Sequence, residues 1–267
     1  LYVGGTLNFG GAAEATPAEG DIWYDSGKFY FGTSQTFFGV WSSGGNISVG
    51  RRQLAGAGTQ SAGLCIGGYD GSNYSLTEEY NGTSWSAGGN LGTARHALAG
   101  AGTQTAGLCM GGHGDNVETE EYDGTSWSAG GNLGTARDQL AGAGTQSAGL
   151  CMGGNDGEKS NVTEEYDGSA WSNGGNLGTT RAQLAGAGTQ SAGLCMGGTD
   201  GSDSNVTEEY NGTSWSYGGN LATARQKLAG AGTQTAGLCM GGGGTNVETE
   251  EYNAVNFNEL FTASGGL

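Results

Sequence analysis

Short apolar blocks separated by polar, glycine-rich turns recur along this chain at a nearly constant interval. The block LAGAGTQ begins at Leu54, Leu98, Leu140, Leu184 and Leu228, in steps of 44, 42, 44 and 44 residues. Cys65, Cys109, Cys151, Cys195 and Cys239 keep those steps. So do Trp41, Trp85, Trp127, Trp171 and Trp215, and Phe257 follows the last of them by 42 residues. One unit, residues 93–134, divides into four strand candidates: LAGAGTQ, AGLCMGG, VETEEY and TSWSAG. A Gly-Thr-Gln-Thr turn joins the first pair and an Asp-Gly turn, Asp123-Gly124, the last. No helical period appears. Four short strands in a unit of this length predict the blade of an all-β propeller, and five first-strand motifs predict five blades.

Side-chain size follows the same order. Ala55, Gly56, Ala57 and Gly58 leave room where innermost strands converge, while Tyr80 and Trp85 fill the outer volume between blades. Trp41 opens a fourth-strand motif with no first three strands before it, and the last unit has its first three strands but an altered fourth, NAVNFNEL. The expectation is a propeller over residues 41–257, closed by the Trp41 strand, with residues 258–267 as a tail. Phe257 is the alternative closing residue. Residues 1–40 are read as an N-terminal extension with a β-hairpin at about 21–32; as outer strands of a degenerate blade, they would make six blades.

The chain has 59 glycines but one proline, Pro17, and no three-residue period, which excludes collagen. Aromatic residues at fixed spacing argue against disorder. The formal net charge of -17 repels phosphate backbones and anionic lipid, so neither nucleic acid nor a membrane surface is an expected partner. No apolar stretch is long enough to insert in a membrane. No signal peptide is visible, and a chain that opens on Leu1 is expected to be a processed product or a fragment of something longer.

The units resemble the kelch repeat. Gly111-Gly112 closes the second strand, Tyr122 and Trp127 follow at the kelch spacing, Arg95 precedes the first strand, and equivalents recur through residues 41–257. The resemblance implies a propeller and leaves the activity open, because propellers host unrelated functions. The opening GDIWYDSGKFYFG, followed by a fourth-strand motif, resembles tail-fibre and appendage proteins of marine bacteriophages that carry glycine-rich kelch-like arrays. This implies a virion or cell-surface location, with neighbouring appendage proteins, a host-surface glycan or a host protein as partners, and possible homo-oligomers.

No catalytic constellation emerges, and the expectation is a protein that is not an enzyme. Cysteines at one repeat position lie around a ring, too far apart for disulfides or a shared metal, and are read as small buried hydrophobes. His96 and His113 are read as solvated surface groups; a kelch-type copper oxidase would need two His, two Tyr and a Tyr–Cys link, which are lacking. Adjacent glutamates face opposite sides of a strand and cannot easily share one reaction. Arg51, Arg95, Arg137, Arg181 and Arg225, with Glu79, Glu121, Glu165, Glu209 and Glu251, are read as structural repeat positions forming an Arg–Glu bridge in each blade. The sialidase box is not matched, because the glycine directly follows Asp123. Asp200, Asp203 and Asn205 could offer oxygens to Ca²⁺, as could Asn155, Asp156 and Glu158; neither set has EF-hand spacing, and no cofactor is expected.

Where the units differ, they mark the surface free to vary. The loops after the second strand read YDGSNYS, HGDN, NDGEKSN, TDGSDSN and GGTN, and the two residues after each repeat arginine also differ. These predict one variable loop face carrying the candidate ligand-binding residues Tyr69, Asp70, Tyr74, His96, His113, Asp138, Asp156, Asp200, Asp203 and Lys227. The alternatives are a carbohydrate-active enzyme with an acidic pair on that face and an intracellular kelch adaptor.

Overall fold

The computed structural model describes residues 22–25, 28–31, 42–114, 116–243 and 246–253. The chain divides into two units, residues 1–43 and 44–267. In the first, β1 (Ile22–Asp25) pairs antiparallel with β2 (Lys28–Phe31), which is the expected hairpin. Trp41, Phe257 and the expected tail lie outside the described residues, and with them the expected closing strand.

The second unit is an all-β propeller of five blades. The first blade orders β3 (Ala55–Thr59), β4 (Ala62–Ile66), β5 (Thr77–Tyr80) and β6 (Trp85–Ala87) as an antiparallel meander. The second repeats this with β7 (Ala99–Thr103), β8 (Ala106–Met110), β9 (Thr119–Tyr122) and β10 (Trp127–Ala129). The third has β11 (Ala141–Thr145), β12 (Ala148–Met152), β13 (Thr163–Tyr166) and β14 (Trp171–Asn173). The fourth has β15 (Ala185–Thr189), β16 (Ala192–Met196), β17 (Thr207–Tyr210) and β18 (Trp215–Tyr217). The fifth shows β19 (Ala229–Gly232), β20 (Ala236–Met240) and β21 (Thr249–Asn253) among the described residues.

Each first strand packs on the first strand of the next blade, from β3 to β19. Glycine makes that approach possible: a Cβ on Gly142 would sit 2.8 Å from the carbonyl oxygen of Gly100. The cores lie between blades, where Leu108 and Met110 meet Leu140, Cys151 and Tyr166 of the next blade. Among the described residues, no comparable strand packing joins β19 back to β3, and the facing sides of these end blades are more exposed than their counterparts within the array.

Three polar clips recur at each of the four junctions between consecutive blades, and a fourth at the first three of them. A backbone ladder runs from Ala97 N to Gln53 O, Gln139 N to Ala97 O, Gln183 N to Gln139 O and Lys227 N to Gln183 O, at 2.8–2.9 Å. The side-chain amide of Gln104 donates to Gly63 O and Tyr80 O of the preceding blade, and Gln146, Gln190 and Gln234 do the same one blade on. The Tyr122, Tyr166 and Tyr210 hydroxyls donate to Glu79, Glu121 and Glu165, each at 2.5 Å, and Tyr252 donates to Glu209. Finally, the Trp127, Trp171 and Trp215 indoles donate to Thr77, Thr119 and Thr163 at 2.8–2.9 Å.

The Arg–Glu bridge is present, but its carboxylate is the first glutamate of each pair. Arg51, Arg95, Arg137, Arg181 and Arg225 reach Glu78, Glu120, Glu164, Glu208 and Glu250 at 2.7–3.0 Å. Strand alternation explains the correction: Glu79, Glu121, Glu165 and Glu209 point the other way and take the next blade's tyrosine. The cysteines are buried and free, as expected, but they are also acceptors. Each repeat guanidinium donates to its blade's thiol sulfur at 3.1–3.3 Å. Burial pushes the Cys109, Cys151 and Cys195 thiols up to about 11, against the lowering pull of the arginine.

Two stability predictions follow from this pattern. Arg181→Ala strands the buried Glu208 carboxylate and is expected to cost about 3–5 kcal/mol, read from urea unfolding. Thr207 is 0 % exposed and its hydroxyl has no partner among the described residues, unlike Thr77, Thr119 and Thr163; the residue at the matching tryptophan position in the sequence is Phe257, which has no indole N–H to give. Thr163→Val should therefore cost about 1–3 kcal/mol, whereas Thr207→Val should be neutral or stabilising. Equal losses for the two would refute this account of the clip.

Candidate ligand-binding face

The second-strand loops and the residues after each repeat arginine meet through short backbone bridges. Arg52 exchanges hydrogen bonds with Tyr69, Asp138 with Asn155 and Ala182 with Thr199, at 2.8–3.0 Å. His113 N donates to His96 O, and Gly243 N to Gln226 O, at the equivalent positions. The two variable segments thus form one surface in every blade. Beneath them, Gln53, Ala97, Gln139, Gln183 and Lys227 all adopt left-handed backbone, with φ of 54–58°. Non-glycine residues hold that conformation only where surroundings enforce it, and here the inter-blade ladder does so.

The candidate residues sort into several groups. Tyr69, His96 and His113 form a stack: the Tyr69 and His96 ring centroids lie 4.8 Å apart, and the His96 and His113 rings stack at 4.6 Å. The Arg52 guanidinium lies 5.3 Å from the Tyr69 ring centroid, within cation–π range. His96 is not the solvated group expected: it is 9 % exposed, and its Nδ1 lies 2.8 Å from Asn73 Oδ1. Desolvation lowers its pKa first, helped by the neighbouring His113 and Arg52 and opposed by Asp138.

Elsewhere the Tyr74 hydroxyl donates to Asp70 at 2.7 Å, so both serve their own loop. Asp138 accepts from Asn155 Nδ2 at 3.3 Å. Asp156 and Asp200 accept backbone N–H groups two residues on, from Glu158 and Ser202, which is ordinary turn chemistry. Asp203 bridges to Thr199 within its loop. No group of three or more His, Cys, Asp or Glu suited to a metal ion occurs among the described residues.

Three concavities open on this face. The central one, of about 740 Å³, is lined from all five blades and includes Lys227. A second, of about 600 Å³, holds Glu158 and Asp200 between the third and fourth blades. A third, of about 330 Å³, is bordered by His113 and Asp138. Variation between the repeats marks the loops but not the central concavity. Its signal was the alternation of Arg52-Gln53, His96-Ala97, Asp138-Gln139, Ala182-Gln183 and Gln226-Lys227, in which the second residue of each pair faces the axis.

Among known proteins, the chain matches no protein-family model and no curated sequence.

The histidine stack yields a pH prediction. Because the native pKa of His96 lies below its unfolded value, the native state favours the neutral ring. That contribution is complete above the ordinary histidine range and is lost as pH falls through it. In proton NMR titration the His96 midpoint should lie below that of an unfolded histidine, and His113→Asn should raise it. A midpoint that His113→Asn leaves unmoved would contradict the assigned coupling.

Proposed function

We propose that this propeller is a non-catalytic recognition module that engages its ligand through the variable loop face. The observation that carries the reading is the contrast between the conserved chemistry inside the blades and the chemistry on that face. Within the array, each repeat arginine and the first glutamate brace their own blade, while the second glutamate takes the next blade's tyrosine. The face, in contrast, gathers Arg52, Tyr69, His96 and His113 into a stack that no other blade repeats. A scaffold of equal units that presents unequal loops is the arrangement recognition proteins exploit.

The kelch-like spacing and the phage-like opening segment support a finer reading: a tail-fibre or appendage component that contacts a host-surface glycan or protein. The acidic surface suits a partner that is neither nucleic acid nor anionic lipid. The enzymatic alternative retains one observation, the shared cavity of Glu158 and Asp200. Turnover of envelope polysaccharide that Glu158→Gln abolishes would establish it.

The test is binding of the labelled protein to a panel of bacterial cells and their isolated envelope glycans. Saturable binding to a subset is expected, and exchange of loops 69–75 and 199–205 should remove it. Binding that survives both exchanges, or no binding to any cell or glycan, would overturn the reading in favour of a purely structural part.

A further inference from the structure

The charges of the propeller unit are unevenly spent. All five repeat arginines lie in buried ion pairs. The other cations of residues 44–253 are Arg52, Lys159 and Lys227, and none of these makes an ion pair among the described residues. Two of the three, Arg52 and Lys227, line the central concavity, whose lining holds no carboxylate among the described residues. In a chain of net charge -17, that is a local reversal of sign at the place where all five blades converge.

The remaining lining is specific in kind. Gln53, Gln139 and Gln183 contribute side-chain amides, and one leucine from each blade contributes apolar surface. Gln183 donates to Gln139 at 2.5 Å, and its own side-chain oxygen is buried with no partner among the described residues. Ala97 takes the equivalent place in the second blade, so the ring of long polar groups is interrupted there. The ladder fixes the backbone beneath all five residues, so the site is held in place before any ligand arrives. A volume of about 740 Å³ is that of a small-molecule site.

We propose that the central concavity binds a carboxylated sugar, such as a uronic acid residue of an envelope polysaccharide. Arg52 and Lys227 pair with the carboxylate. The glutamine amides, each both donor and acceptor, match hydroxyl groups, which are also both. The leucines lie against the C–H surface of the ring. This rests on the loop-face reading above and adds the ligand class and the place.

The test uses the full chain with sodium glucuronate and glucose as probes, followed by NMR and calorimetry. Glucuronate should bind saturably, glucose about tenfold or more weaker, and the glucuronate affinity should fall at high salt. The double variant Arg52→Gln/Lys227→Gln should lose about tenfold or more in glucuronate affinity. Both substitutions install residues this chain already uses at equivalent positions, Gln226 and Gln183, so the fold should be kept, as checked by circular dichroism. Equal binding of the two sugars, unchanged binding by the double variant, or no saturable binding of glucuronate would overturn the proposal. Preferential binding of an acidic peptide would overturn it in favour of a protein ligand. If the double variant still binds cells while glucuronate does not bind, the loop-face reading stands and the sugar assignment falls.

Discussion

A guanidinium buried in every blade is the constraint on which the rest of this structure depends. An isolated arginine would not tolerate that environment, so its surroundings are dictated. In the third blade, Arg137 gives N–H groups to Gly153 O, Val162 O, Cys151 and Glu164. These partners come from the second strand and the residue that follows it, the segment leading into the third strand, and the third strand itself. One side chain thereby fixes the register of the loop, the thiol and the carboxylate at once. Glu164 in turn accepts the backbone N–H of Gly134 from the preceding repeat, which extends the charge network across the junction.

Packing between blades follows from small residues and paired polar groups more than from large aliphatic ones. The first strands are alanine and glycine, so backbones approach closely and leave little volume to fill near the axis. Further out, rings such as Tyr166 and Trp171 supply apolar area, and their O–H and N–H are spent on the neighbouring blade. Burial and the adjacent glutamate push the Tyr122, Tyr166 and Tyr210 hydroxyls up to about 12, so each remains a donor across the ordinary pH range.

The fold was legible because the sequence states it five times. Strand limits, blade count and the outer place of Tyr80 and Trp85 all follow from period and side-chain size. The roles of the two glutamates were less legible, since adjacent identical residues differ only in the strand face they occupy. The Arg–Cys contact had a signal, a constant interval of 14 residues from Arg51–Cys65 to Arg225–Cys239, but reading cysteine as a small hydrophobe concealed it. The candidate site was half legible. Loop variation pointed to the face, while the stack of His96 on His113 depends on backbone pairing between segments 17 residues apart. Histidines that occur once in a repeat array look incidental until that pairing is seen.

Near-identity of the junctions has a cost during folding. The threonine of any blade offers the same socket to the tryptophan of any other, and the glutamine clips are equally interchangeable. A partly folded chain can therefore join the wrong blades with nearly native chemistry, skipping or exchanging a unit, a failure characteristic of tandem repeats. What distinguishes one blade from the next is concentrated in the variable loops and at the two ends of the array, with few differences inside the strands. The surface that varies for recognition is thus also the chain's means of telling its own units apart.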